Sequence, residues 1–370
     1  VRRLVVVAAL LFALLALFAL NAGGARANTP RPWLWQCEQI GRADAQWTCY
    51  VRLLLQDIDR SGDPADELPR IDARARAAGT SLAGNCHALM HEVGRRYGAE
   101  HHITLARLMD YIPRSNDPTC SAGFGMGLVM YLGPQIIRSG GRSALVQCMK
   151  LPTRYRSYTC VHGIGHALMR AYHGDLRLAV QSCRRLGQQG ADCAQGAFHD
   201  YWISLHGADG TTLRAHGLSP RFLCNGHLWY VRPCWYRYFV EQPLARIIDS
   251  PSAIEQACRG LRRLQRYGCV SGAALSIPES AFVQTRICSQ LGDADARACL
   301  RGVAVQTVDT QARQESLFGL CARMASGVRS DCREWFGRTL AAVTNGRFHC
   351  PDRACEVGAR KIAAPFVTFS

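Results

Sequence analysis

No C-x-x-C occurs anywhere in the chain, so zinc-thiolate knuckles are excluded, and the absence of C-x-x-C-H likewise excludes covalently attached haem c. Sustained strand-type alternation is missing, and no apolar run after residues 4–20 is long enough to cross a membrane. Nothing forms a phosphate-binding glycine loop or a serine-nucleophile elbow, because the FGMG stretch at 124–127 is too short; no nucleotide is expected. Lysine is nearly absent, with Lys150 and Lys361 the only two among 44 basic residues.

What is present begins with a basic head, an apolar run and a small-residue A-x-A-like end. This predicts a secretory signal over 1–27, the alternative being a membrane anchor formed by residues 4–20. The net charge of +16 is therefore an arginine charge. The arginines are spread along the chain as on solvated helix faces. Such a surface suits an envelope protein or anionic polymer as partner, and no module accompanies the charge that would make nucleic acid the expected one.

All eighteen cysteines follow the signal, and an even count in an exported chain reads as a disulfide framework. Seven close pairs stand out: Cys37 with Cys49, Cys148 with Cys160, Cys183 with Cys193, Cys224 with Cys234, Cys258 with Cys269, Cys288 with Cys299, and Cys321 with Cys332. On one continuous helix such partners would lie about 15–18 Å apart, whereas a disulfide needs Cα atoms within about 7 Å. The chain must turn back between them, and breakers such as LPTR, LGQQGAD and LGDAD sit at those places. By elimination Cys350 pairs with Cys355 and Cys86 with Cys120. Segments such as LRLAVQSCRRL carry apolar residues at helical spacing, so the expected fold class is all-α, an α-solenoid of roughly eight helical hairpins, each stapled by a local disulfide.

In period and hairpin logic, residues 35–340 resemble Sel1-like and tetratricopeptide-type repeat proteins, although those families' consensus residues are not in register here. The resemblance implies a concave surface for a partner. The expected organisation is a signal at 1–27, an N-terminal stapled segment at 28–60 and a polar connection at 61–81. Histidine-bearing repeats follow at 82–240, then plain repeats at 241–345 and a tail at 346–370.

Counting from the second cysteine of each unit exposes two registers. Three residues on stand Gly123, Gly163, Gly196, Gly272 and Gly302, where a missing side chain lets the next helix come close. Six residues on stand Met126, His166, His199, Val240, Leu275, Val305 and Arg338. The usual occupant is apolar, yet two consecutive units carry histidine. His162 precedes His166 by one turn, as Gln195 precedes His199, and His87 and His91 repeat the H-x-x-x-H spacing with which one helix face can offer two imidazoles to a metal. His87, His91, His162 and His166 are thus expected to converge on a transition metal, zinc or copper foremost, with His199 nearby. Glu92, Gln195 and Asp200 stand ready to orient ligands. HALMHE and HGIGH are not metalloprotease signatures, and no catalytic residue is identified; a metalloenzyme is the lesser reading. A ligand role for His227 is also a lesser reading, and His101, His102, His206, His216 and His349 are expected in loops or at the surface.

The competing reading is a metal-free cell-envelope scaffold. It rests on the aromatic run Trp202, Trp229, Tyr230, Trp235, Tyr236, Tyr238 and Phe239 with Arg232 and Arg237 interleaved. Such residues form binding faces or pack as core.

Overall fold

A computed structural model describes residues 34–78, 81–113, 120–204, 223–224, 229–241, 248–275, 281–309, 314–322, 324 and 326–361. The expected signal, and with it His206, His216 and His227, lies outside these residues. The fold is all-α: no strand occurs among the described residues. After the N-terminal helices Ala43–Ser61 and Pro64–Ala78, nine helices set the layout: α1 Ser81–Glu100, α2 Cys120–Tyr131, α3 Arg154–Ala171, α4 Gly190–Ser204, α5 Val231–Glu241, α6 Arg263–Leu275, α7 Asp293–Asp309, α8 Ser326–Thr344 and α9 Arg353–Arg360. Each packs on the next in chain order.

A shorter helix precedes most of them and packs on its successor, as Leu176–Arg184 does on α4 and Ala281–Cys288 on α7. Local chemistry starts these arms. Asp175 accepts from the Leu178 amide at 3.0 Å, and Ser250 caps the Pro251–Ala257 helix through the Ala253 amide at 3.3 Å, with proline at the helix start. Leu176, Ala179, Val180 and Cys183 recur at i, i+3, i+4 and i+7, and all four are buried. The arm therefore packs where its own disulfide draws it.

All nine expected cysteine pairs are bonded, with Cα separations from 5.0 to 5.8 Å, and no described cysteine is free. Seven of the bonds fold a hairpin on itself: Cys37 to Cys49, Cys148 to Cys160, Cys183 to Cys193, Cys224 to Cys234, Cys258 to Cys269, Cys288 to Cys299, and Cys321 to Cys332. The two assigned by elimination differ in reach: Cys350 to Cys355 closes a short loop, whereas Cys86 to Cys120 spans 34 residues and joins α1 to α2. Such a set belongs to an oxidising environment. Among the described residues no helix is long and apolar enough to cross a membrane.

Glycine sets how closely the helices approach. A Cβ on Gly196 would fall on the carbonyl oxygen of His162, and one on Gly165 would fall on that of Cys193, so α3 and α4 interlock backbone to backbone. The register singled out Gly163, but there the nearest atom is Met126 Cα at 3.2 Å. The tighter glycine of that helix is Gly165, on the face turned to α4.

Three features depart from the sequence expectation. The stretch 61–81, expected as a polar connection, contains the helix Pro64–Ala78, because Leu68, Ile71 and Ala75 fall on one face and are buried; Asp72, also buried, accepts from the Ser121 amide at 3.1 Å. Second, not all arginines sit on solvated faces. Arg266 ion-pairs with Asp295 across α6 and α7, and the nearly buried Arg154 with Asp192 across α3 and α4. Arg301 and Arg338 are buried over the Trp335 ring at 4.6 and 5.1 Å, where the delocalised guanidinium is less costly to desolvate than an ammonium. Third, α8 reaches back to α3, and Tyr155, Tyr158, Tyr236 and Ala342 form a small apolar cluster of their own. The row of helices thus curves until a late repeat meets an early one.

Candidate metal centre

Three helices bring the histidines together. His162 and His166 lie one turn apart on α3, with ring centroids 5.0 Å apart, and both are buried. The α3–α4 interlock at Gly165 and Gly196 then sets His199 against both. Its ring lies 4.9 Å from that of His166 and 5.4 Å from that of His162. His162 Nε2 and His199 Nδ1 are 3.2 Å apart. Each of the three residues offers a ligand atom, and these atoms lie within 4.8 Å of one another, the one such group of three or more among the described residues.

Two ligands held by a tetrahedral ion at about 2.0–2.1 Å are themselves about 3.3 Å apart. The 3.2 Å edge between His162 and His199 already has that length.

The far sides of the rings are equally telling. His166 Nδ1 meets Asp200 Oδ1 at 3.0 Å while its Nε2 is buried without a partner. His199 Nε2 lies 3.3 Å from Glu241 Oε1, which leaves Nδ1 turned to His162. A carboxylate behind an imidazole fixes its tautomer and makes the opposite nitrogen a better donor, the arrangement found behind metal-ligating histidines. Glu241 is held in turn by Arg237 Nη1 at 3.0 Å.

Burial keeps His162 and His199 well below the ordinary imidazole value of 6.5, and the Arg237 charge pushes the same way. His91 is depressed by burial and by His87. These rings are neutral at neutral pH, the form that binds metals. Burial raises the Glu241 carboxyl, with Arg237 opposing.

The second histidine pair extends the row without joining the close group. His91 stacks edge-on to His166 at 5.1 Å, and His87 follows at 4.8 Å from His91. The five rings thus run side by side, with the three-nitrogen cluster at one end. Glu92 is turned to Arg95 and Arg96, at 2.7–2.8 Å. Gln195 is buried and accepts from the Tyr158 hydroxyl, whose ring lies 5.7 Å from His162. Of the expected orienting groups, Asp200 alone holds a histidine. His101 stacks on Tyr97 at 4.0 Å and meets Asp59 in an exposed pair, and His102 is also exposed.

Sequence reasoning missed Glu241, the link of Arg237 to it, and Arg170. A signal for the first two exists: Asp200 and Glu241 both stand seven residues after the second cysteine of consecutive units, and Arg237 occupies the third place, where five other units carry glycine. The aromatic run is mostly core. Trp202, Trp235, Tyr236 and Phe239 are buried, and Trp229 alone is exposed, under Arg184.

Beside the cluster opens a cavity of about 250 Å³ lined by His87, His91, His166, Arg170, His199 and Glu241, among others. Comparison with protein-family models, curated proteins and solved structures finds no match for this chain.

Proposed function

We propose that this chain is an exported, disulfide-stapled α-solenoid, arranged as in Sel1-like and tetratricopeptide-type repeats, that binds one transition ion through His162, His166 and His199. Zinc or copper is the favoured ion, since neutral imidazoles suit both. One observation carries the reading: three buried or nearly buried imidazoles present nitrogens within 4.8 Å of one another, and two of them are backed by carboxylates. Unassisted folding has little use for this. A buried unpartnered nitrogen such as His166 Nε2 costs about 1–3 kcal/mol, which a bound cation would offset. The aromatic run, mostly core, leaves the scaffold reading Trp229 as its one exposed aromatic among the described residues.

Equilibrium dialysis of the oxidatively folded protein against Zn²⁺ tests the proposal. One ion per chain is expected, weakened well over a hundred-fold in His166→Ala and unchanged in His349→Ala, with helical circular dichroism retained in both. Equal zinc uptake by wild type and His166→Ala would contradict it.

A further inference from the structure

Three imidazoles leave a tetrahedral ion one position short, which separates a reactive or ligand-taking site from a closed structural one. Among the described residues nothing close by fills that position. His91 is outside the group of converging nitrogens, and no fourth histidine, cysteine or carboxylate joins it among the described residues. The space lies on one side of the cluster: His166 and His199 line the cavity of about 250 Å³, while His162 stands behind them and does not. A water's share of liquid volume is about 30 Å³, so the space exceeds what one coordinated water needs, yet it is below the range of drug-sized pockets.

The walls specify what would enter. Arg170, one turn beyond His166 on α3, lines the cavity with its side chain 20 % exposed and ion-pairs with Asp200, Nε to Oδ1 at 3.8 Å. Its planar fork matches a carboxylate. His91 presents a buried Nε2 with no partner on the same wall. Trp47 and Ile203 supply apolar surface. Two cations, Arg170 and Arg237, balance Asp200 and Glu241 there, so a bound divalent ion would leave the site positive.

Resting on the metal reading above, we infer that the ion's remaining position opens into this cavity and takes a small carboxylate, one oxygen on the metal and the group steered by Arg170. Nothing covalent changes; the ligand exchanges with water. This makes the site one for a small organic acid rather than a structural staple, a role the nine disulfides already fill.

The test uses the full, oxidatively folded chain loaded with Co²⁺, whose visible bands report coordination. Acetate is expected to shift those bands saturably. Arg170→Gln should weaken acetate at least about ten-fold while Co²⁺ affinity stays within two-fold, and Arg170→Lys should recover part of the loss. Bands indifferent to acetate in the loaded wild type would overturn the inference and leave metal binding standing. So would a response to phosphate but not acetate, or an Arg170→Gln protein that loses Co²⁺ rather than acetate, which would make the arginine a support for Asp200. A chain that takes up no Co²⁺ would remove the metal reading, and this one with it.

Discussion

The repeats from α3 to α5 and those from α6 to α8 share a scaffold and differ in what they mount on it. Both halves are stapled hairpins, and both use glycine at the third place after the second cysteine, as Gly196 does against His162 and Gly302 against Ser271. At the second place the first half carries His162, Gln195 and Tyr236, and the later half Ser271, Arg301 and Glu334. In the later half two of these positions serve packing: Ser271 donates to the Ala298 carbonyl at 2.8 Å, and Arg301 stacks on Trp335. In the first half the equivalent face carries the imidazoles. Stapling and glycine contact set the helix spacing, which frees the facing residues to be either core or ligand.

The strongest way to break the comparison is to remove one staple from each half. The double variants Cys183→Ala with Cys193→Ala, and Cys288→Ala with Cys299→Ala, open loops of similar length, so each should cost about 3 kcal/mol in denaturant unfolding. Only the first should also weaken zinc binding, because it loosens α4 under His199. A matching loss of affinity from the second would show that the site depends on the whole array. Next in size come Gly196→Ala and Gly302→Ala. Both push a Cβ onto a neighbouring carbonyl oxygen and should destabilise by about 1–3 kcal/mol, while zinc affinity falls in Gly196→Ala alone.

Much of this division was legible in the sequence. Cysteine spacing gives the hairpins and seven of the pairs, with elimination supplying the other two, since a covalent bond with a short reach leaves the chain few choices. The coincidence of His166 and His199 in one register gives their meeting. Glu241 was hidden because its neighbour Val240 holds the histidine register in that unit, so the unit stood out only for its aromatic run. Gly165 was hidden because its role depends on which face of α3 meets α4, and spacing within one helix does not encode that. The return contact between α8 and α3 joins distant repeats, and no local pattern records it. Nor does the pair of His87 and His91 share the later period, so its place at the end of the ring row follows only from tertiary packing.

The carboxylates sharpen the comparison within the first half. Asp200→Asn and Glu241→Gln remove the charge behind a ligand while keeping its shape, and each should weaken zinc by about 10–100-fold, with the apo protein's unfolding midpoint nearly unmoved. If neither changes affinity, the two groups serve packing rather than the ion.

The smallest effect is pH dependence. His91, His162 and His199 have folded-state values held well below 6.5. Between those values and 6.5 the unfolded chain binds protons that the folded chain refuses. Stability is therefore full above about pH 6.5 and falls as pH drops below it, by at most roughly 1.4 kcal/mol per group per pH unit. Metal-free protein unfolded in urea at pH 7.5 and 5.5 should show this loss, and the double variant His162→Phe with His199→Phe should flatten it. A slope unaltered by that double variant would assign the acid sensitivity elsewhere.

X-ray absorption of the zinc-loaded, fully oxidised chain tests the central claim most directly. Three imidazole nitrogens at about 2.0–2.1 Å with one further light ligand are predicted. A shell of six oxygens at longer distance, or sulfur at about 2.3 Å, would contradict it.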